Sequence, residues 1–167
     1  ARSAPNILLR VSVSLWFFFF LAGLSMPTYK APLRDMRFVL EELLDVGQVS
    51  RLPGHDEATP DTIAAILAAG AALCENELAP LNRPGDEEGC HFENGVVRTP
   101  AGFKAAYETF IAGGWTSLAA DPAYGGQGLP KIVNFVIEEM ISSANLSLGT
   151  YPGLSGGAYQ ALSLHGS

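Results

Sequence analysis

One stretch of thirteen residues, 118–130 (LAADPAYGGQGLP), constrains the fold of this chain more than any other. Three glycines, Gly125, Gly126 and Gly128, follow Tyr124, and prolines bracket the group. Proline fixes φ, and glycine reaches backbone angles that are closed to other residues. The run therefore predicts a shaped loop, since it is too irregular for a helix or a central strand. Helical patterns stand on both sides, so we expect helices arranged around one rigid turn.

The glycine spacing of this loop argues against two nucleotide-binding motifs. The dinucleotide fingerprint needs G-x-G-x-x-G between a strand and a helix, and a Walker loop needs Gly-Lys-Ser/Thr after its glycines. Neither pattern is present. On spacing alone, the loop is best interpreted as a tight connection between helices.

Helical patterns account for most of the remaining chain. Apolar residues recur at every third or fourth position, which is typical of helices with one buried face. With 167 residues, 48% of them apolar, the chain can bury a real core. We therefore predict an all-α bundle of four to five helices with a possible small β-hairpin. The predicted helices cover 33–46, Thr59-Pro60 to near Pro80, Thr99-Pro100 to Gly113-Gly114, Lys131 to about Ala144, and Ser155 to His165.

Local signals set the ends of these helices. Thr59 and Thr99 each precede a proline. Threonine can cap the free N–H groups at the start of a helix, and proline at the first helical position sacrifices no helical hydrogen bond. Gly47 is expected to end the first helix, and Pro152-Gly153 is expected to separate the last two. The apolar stripe of the first helix is predicted to be Met36, Val39, Leu40 and Leu43. In the very apolar helix that starts at Lys131, we expect Glu138 or Glu139 to pair with a cation from another element.

The connections between helices are read from turn signals. Pro53-Gly54 predicts an exposed turn within 51–58, and the acidic run in 82–89 predicts a solvated loop. Asn94-Gly95 stands between short β-prone runs, which favours a two-stranded hairpin.

Charge and ligand spacing exclude some functions. A net charge of −7 argues against non-specific binding to nucleic acid. Cys74 and Cys90 fit no C-x-x-C pattern, and neither His55–Glu57 nor Asp86–Glu88 has the alternating spacing of a metal site. We expect no metal, and reduced cysteines by default.

Residues 153–157 match G-x-S-x-G, the nucleophile elbow of α/β hydrolases. That elbow must lie between a strand and a helix, with an acid and a histidine following Ser155 in sequence. His165 follows, but no Asp or Glu lies after Glu139, and no alternating βα pattern surrounds the motif. The hydrolase alternative is therefore disfavoured.

Residues 114–130 resemble the helical N-terminal domain of acyl-CoA dehydrogenases. In that family, an acidic residue or proline followed by x-Tyr-Gly-Gly-x-Gly closes the same segment, and the similarity extends from Met26 to Ser167. The segments MPTYKAPLRDMRFVLEELLD and GCHFENGVVRTPAGFKAAYETF further resemble the subfamily that includes 3-methylmercaptopropionyl-CoA dehydrogenase. The resemblance implies that residues 26–167 form the N-terminal helical domain and that the chain is truncated before a β-domain.

Residues 1–25 do not fit this pattern. A basic flank precedes fourteen largely apolar residues, 11–24, which is the shape of a signal peptide and short of the roughly 20 residues that span a bilayer. Met26 falls where the family's proteins begin, so we expect translated upstream sequence. A signal or anchor segment, with membrane targeting, is the alternative to a cytoplasmic location.

The resemblance also implies a function. Acyl-CoA dehydrogenases oxidise the α–β bond of an acyl-CoA thioester with FAD, which is held mostly by domains absent here. The catalytic base is expected in the C-terminal helical domain, so none is assigned. Electron-transferring flavoprotein is the expected acceptor, and the full-length protein is expected to be a homo-oligomer. The segment expected to line the acyl pocket comprises Thr150, Tyr151, Pro152, Gly153 and Leu154.

Two further expectations complete this interpretation. The loop residues Tyr124, Gly125, Gly126 and Gly128 are expected to be structural and to support the join to the β-domain. The competing function is a catalytically inactive helical fragment or interaction module without bound flavin.

Overall fold

The computed structural model describes residues 28–166, in which five helices surround one core. Helix α1 (Leu33–Arg37) continues into a π-helical turn (Phe38–Leu43), and α2 (Pro60–Leu73) continues into another (Cys74–Leu78). They are followed by α3 (Ala79–Glu88), β1 (His91–Glu93), β2 (Val96–Arg98), α4 (Phe103–Ala112) and α5 (Lys131–His165). Short 3₁₀ turns occupy Val46–Arg51, Trp115–Ser117 and Pro122–Tyr124. The predicted all-α fold is confirmed, and so is the hairpin, in which His91 pairs with Arg98.

Helix α1 ends earlier than predicted. The π-helical turn ends at Leu43, and Asp45 then adopts a left-handed conformation with φ 47°, so Gly47 is not the terminator. In the π-helical turn, the N–H of Leu44 donates to the carbonyl of Val39 at 3.0 Å, five residues back. This wider turn rotates the apolar stripe. Met36 and Leu40 are buried as predicted, whereas Val39 and Leu43 are exposed.

Helices α2 and α3 are continuous, so the predicted end near Pro80 and the predicted loop at 82–89 are both wrong. Pro80 falls in the first turn of α3, directly after a π-helical turn, where a missing N–H costs little. The predicted start of α2 is confirmed, because Thr59 Oγ1 accepts a hydrogen bond from the N–H of Thr62 at 3.2 Å. The second predicted cap is wrong: α4 begins after Gly102 with no side-chain cap.

Helix α5 breaks at Asn145, so the predicted end of the helix near Ala144 is confirmed, whereas the expected separation at Pro152-Gly153 and the start of the next helix at Ser155 are wrong. Asn145 has non-helical angles, φ −159° and ψ 89°, while Pro152 lies inside the helical segment that follows. We call 131–144 the first arm of α5 and 146–165 its second arm. The N–H of Leu148 donates to Asn145 Oδ1 at 3.0 Å, so Asn145 caps the second arm. Its Nδ2 donates to the carbonyl oxygen of Leu78 at 3.1 Å.

The core is assembled from the first arm of α5 and the helices that pack on it. Its most deeply buried side chains are Leu40, Leu67, Cys74, Leu78, Phe110, Val133, Ile137, Met140 and Leu148. Helices α3 and α4 pack closely, because a Cβ on Gly85 would lie 2.5 Å from the ring of Phe103. Glycine is therefore the residue that permits this approach.

Among the described residues, one helical stretch, Pro60–Glu88, is long and apolar enough to pass for a membrane span by length and composition. Core helices of soluble proteins pass the same test. This stretch supplies Ile63, Leu67 and Leu78 to the core.

Candidate functional site

An open groove of about 930 Å³ lies between the two arms of α5 and the glycine-rich loop. Its volume falls within the range of sites for small molecules, about 300–1,000 Å³. The break at Asn145 creates the groove, because an uninterrupted helix would carry the second arm away in line with the first. The groove is therefore a consequence of the bend in α5.

The wall of the groove that belongs to the protein body is mainly apolar. Phe110 comes from α4, Trp115 from the 3₁₀ turn after it, and Ile137 and Ile141 from the first arm. Phe110 and Ile137 are anchored in the core, since each is at most 2% exposed. A ligand in the groove would meet a rigid hydrocarbon surface on this side.

The opposite wall is built from small residues of the second arm. Gly149, Gly153, Gly156 and Gly157 all line the groove. A Cβ built on any of the last three would meet no atom within 4 Å, so these glycines leave open space. A glycine inside a helix lowers stability by roughly 0.5–1 kcal/mol relative to alanine. Here the absence of side chains at these glycines keeps the groove wide.

Polar and charged groups line the groove from several elements, and four of them stand along the first arm. Asn134 Nδ2 donates to Glu138 Oε1 at 2.8 Å, and both residues line the groove with Ser142 and Lys131. The expected pairing of Glu138 or Glu139 with a cation is wrong. Within residues 28–166 the ion pairs are Lys30–Glu75, Arg83–Glu87 and Lys104–Glu108.

A ladder of backbone hydrogen bonds fixes the glycine-rich loop. Gln127 N–H donates to the Ser117 carbonyl at 3.0 Å, and Leu129 N–H donates to the Leu118 carbonyl at 2.9 Å. Between them, Gly126 and Gly128 donate to the carbonyls of Asp121 and Ala120, each at 3.0 Å. The side chain of Gln127 also donates to the carbonyl of Gly114 at 2.8 Å. Five bonds make the loop a rigid edge of the groove.

Two glycines are required in this loop for different reasons. Gly125 has φ 82°, which is unfavourable for other residues, and a Cβ there would meet no atom within 4 Å. A Cβ on Gly126 would instead overlap the carbonyl group of Ala120. Tyr124, the other residue of the predicted loop group, is 77% exposed. These observations support a structural role for the glycines.

Two long-range hydrogen bonds tie distant elements to the loop. The N–H of Asp121 donates to the hydroxyl of Tyr159 on the second arm at 2.8 Å. His55 Nδ1 lies 3.0 Å from the carbonyl oxygen of Gly128. His55 was expected in an exposed turn but is half-buried and lines the groove. No local signal in the sequence identifies either bond, because the partners are 38 and 73 residues apart.

The five predicted pocket residues divide into two groups. Pro152 and Gly153 line the groove. Thr150, Tyr151 and Leu154 are not among its lining residues. Thr150 Oγ1 donates to the carbonyl of Leu146 at 2.9 Å, and Leu154 is 73% exposed.

The ring of Tyr151 lies instead beside α4. Its centroid is 6.2 Å from that of Tyr107, and the two rings are nearly perpendicular. Partial burial, with a smaller contribution from the thiol of Cys90, raises the pKa of Tyr151. This side chain therefore helps to attach the second arm near its start.

Two other chemical hypotheses are addressed by the geometry. Ser155 is an exposed residue inside the second arm, with helix on both sides of it and no strand immediately before it, so the hydrolase elbow does not form. Within residues 28–166, no three His, Cys, Asp or Glu side chains are grouped so that they could hold a metal ion.

Perturbed ionisable groups cluster away from the groove. Burial, followed by the charges of Cys74, Glu75 and Glu139, raises the pKa of Tyr29 to about 12. Burial and then the charge of Glu75 raise the pKa of Cys74 to about 12. The pKa of Glu75 is lowered, first by its hydrogen bond from Lys30 and then by one from the N–H of Ala31. This cluster ties the segment before α1 to α2.

Comparison with known proteins finds relatives that are named as acyl-CoA dehydrogenases. No protein-family model matches it. It is 42% identical over 140 residues to 3-methylmercaptopropionyl-CoA dehydrogenase of Ruegeria pomeroyi, covering 84% of this chain and 24% of the relative. It is 31% identical to butyryl-CoA dehydrogenase of Syntrophomonas wolfei, and 30% identical to a broad-specificity linear acyl-CoA dehydrogenase of Mycobacterium tuberculosis.

Each of the last two matches covers 78% of this chain and 22% of the relative. The chain thus spans about a quarter of the length of the curated relatives that it matches. The resemblance inferred from the sequence motifs is confirmed, including the likeness to 3-methylmercaptopropionyl-CoA dehydrogenase.

Proposed function

We propose that this chain, whose curated homologues are acyl-CoA dehydrogenases, is part of a flavin-dependent enzyme of that kind. The full-length protein oxidises the α–β bond of an acyl-CoA thioester in this proposal. The described helices supply one wall of the pocket for the acyl chain. The observation that carries the proposal is the groove between the arms of α5, with its apolar wall and its open, glycine-lined side.

The groove suits an acyl chain on physical grounds. Each buried methylene contributes about 0.8 kcal/mol, and Phe110, Trp115 and Ile141 present hydrocarbon surface for that burial. The glycines opposite leave room for the chain. Pro152 and Gly153 are the predicted pocket residues that this geometry supports.

The described residues do not by themselves fit a flavin dinucleotide. A diphosphate is bound by several cations or by free backbone N–H groups. Along the groove, Lys131 is accompanied by the carboxylates of Asp121 and Glu138, and the N–H groups of the loop ladder already donate to carbonyls. We therefore place FAD in the remainder of the full-length protein and derive no catalytic step from this chain.

No residue of this chain is proposed as the catalytic base. Glu138 lines the groove, but it is solvent-exposed and already accepts a hydrogen bond from Asn134. The base belongs, in this proposal, to a part of the enzyme outside this chain. Electron-transferring flavoprotein as acceptor, a homo-oligomeric assembly and a cytoplasmic location complete the proposal.

The groove can be tested in the full-length enzyme with two variants of the second arm. Gly153→Leu adds a side chain on the groove side, whereas Ala158→Leu adds the same atoms at an exposed position outside it. We expect Gly153→Leu to lower kcat/KM for long-chain acyl-CoA by about tenfold or more relative to a short-chain substrate, since steric exclusion discriminates at that level. Flavin content should stay unchanged in both. An equal effect of both variants on chain-length preference would contradict the pocket assignment.

A second function, a helical interaction module without flavin, is favoured by one observation. The π-helical turn after α1 and the residue that follows it expose four large apolar side chains, namely Phe38, Val39, Leu43 and Leu44. Flavin absorbance of the purified full-length protein separates the two functions. Bound flavin would exclude the module, and a folded full-length protein without flavin would favour it.

A further inference from the structure

We propose that the second arm of α5 is a hinged lid over the groove. It pivots at Asn145 and is held closed by the hydrogen bond from the N–H of Asp121 to the hydroxyl of Tyr159. The purpose of the lid, to admit an acyl chain, rests on the proposed function. Its test uses no substrate, so the two proposals can fail separately.

The pivot is a fixed point. Asn145 is 1% exposed, and its side chain is hydrogen-bonded on both sides, to the carbonyl of Leu78 and to the N–H of Leu148. Its backbone is extended, so no regular helical hydrogen bonding carries the first arm into the second. Motion of the second arm is therefore concentrated at this residue, as is usual for hinges at the ends of helices.

The second arm is thinly attached beyond the pivot. Leu148 is its last buried residue, and none from Gly149 to Gly166 is buried. The first arm, in contrast, buries four large apolar side chains, namely Val133, Ile137, Met140 and Ile141. Segments with few buried apolar contacts open most easily.

The hydrogen bond at Tyr159 is well placed to hold the arm. Tyr159 lies fourteen residues after the pivot, which is about 21 Å along a helix. The nearer attachment, Tyr151 against Tyr107, lies close to the pivot and restrains the far end little. At the far end, Asp121 belongs to the loop that five hydrogen bonds make rigid. A bond far from the pivot and made to a rigid partner restrains rotation most effectively.

Opening of the lid requires little free energy, because each group of the hydrogen bond between Asp121 and Tyr159 exchanges its protein partner for water. The Asp121 N–H and the Tyr159 hydroxyl lie at the exposed surface, so water replaces each partner when the bond breaks. Gly153, Gly156 and Gly157 have open space beside them, so the arm has no side-chain packing to lose at these three positions. The arm can thus move as one body.

Spin-label distance measurements on the 167-residue chain test the lid. One label is placed on the outer side of the second arm, by Ala161→Cys, and one on the exposed turn beside the groove, by Asp56→Cys. A Cys90→Ser background removes the exposed native thiol, and Cys74 is buried. Tyr159→Phe is then compared with Tyr124→Phe, which removes a hydroxyl from the exposed tyrosine of the same loop.

We expect Tyr159→Phe to add a longer, broader component to the distance distribution, with its population raised about three- to tenfold, as loss of one hydrogen bond predicts. The Tyr124→Phe distribution should match that of the parent chain. An unchanged distribution in Tyr159→Phe would overturn the proposal. Equal broadening in Tyr124→Phe, or loss of helical circular dichroism in Tyr159→Phe, would overturn it as well, because the arm would then not move independently of the core.

Discussion

Substitution of Gly126 by alanine tests whether the glycine-rich loop is a structural support. A Cβ at this position would overlap the carbonyl group of Ala120, which is backbone and cannot rotate away. The loop must therefore move outward. That movement breaks the hydrogen bonds at 3.0 Å that Gly126 and Gly128 donate to Asp121 and Ala120.

The size of the effect follows from these contacts. Two lost hydrogen bonds cost about 2 kcal/mol together, and loosening of the buried anchors Leu118 and Leu129 adds about 1 kcal/mol. Gly126→Ala should therefore lower the free energy of unfolding by about 3 kcal/mol. Gly125→Ala is the matched control, because its Cβ meets no neighbour and its cost is the left-handed backbone alone, about 1 kcal/mol.

Urea and thermal denaturation of the 167-residue chain, followed by circular dichroism, measure both effects. For a chain of this size, Tm should fall by about 6–12 °C for Gly126→Ala and by about 2–4 °C for Gly125→Ala. A Gly126→Ala variant no less stable than Gly125→Ala would refute the reasoning, since the carbonyl contact would then be relieved without cost.

Two further predictions concern buried polar groups. Asn145→Ala leaves two buried backbone partners without a hydrogen bond, so the free energy of unfolding from urea denaturation should fall by about 2–4 kcal/mol. The control Asn134→Ala breaks an exposed hydrogen bond on the same helix and should lower it by about 0.5 kcal/mol or less. Similar losses in both variants would show that the break does not depend on the Asn145 side chain. Burial raises the pKa of Cys74 from its ordinary value of 9.0 to about 12, so its thiol ionises first in the unfolded chain. Its contribution to stability is complete below the unfolded pKa, and the free energy of unfolding should fall as pH rises from about 9 to 12, at up to about 1.4 kcal/mol per pH unit. Cys74→Ala should flatten this slope in denaturation series at increasing pH, whereas Cys90→Ser should leave it intact, and equal slopes in the two variants would contradict the assignment.

Features that depend on neighbours in the sequence could be predicted from the sequence. The Thr59 cap involves residues three positions apart, and the Asn94-Gly95 hairpin closes on adjacent residues. The apolar periodicity likewise predicted helices where α2 and α4 form, because a helix presents every third or fourth residue to one side. The glycines of the loop predicted an irregular, rigid connection between helices. The motif around Tyr124 also identified the resemblance to acyl-CoA dehydrogenases that the relatives confirm.

Errors arose where a local signal competed with a tertiary contact. Pro80 and Pro152-Gly153 are helix-breaking signals, and the sequence predicts breaks at both. The structure absorbs Pro80 in the first turn of α3 and Pro152 inside the second arm, and α5 breaks only at Asn145. The end of the first arm near Ala144 was predicted, but the part that the Asn145 side chain plays in it was not. This side chain ends the first arm because the carbonyl of Leu78, from a distant helix, is within its reach.

The sequence by itself determined the helical class, the rigid loop and the resemblance to acyl-CoA dehydrogenases, since each rests on short-range periodicity, backbone preference or a contiguous motif. The tertiary structure alone decided the groove and its closure. The bend at Asn145, the contact of His55 with Gly128 and the bond between Asp121 and Tyr159 join residues 38 to 73 positions apart. Such contacts form only after packing has brought separate elements together, because their free energy comes from partners that no local stretch of sequence contains.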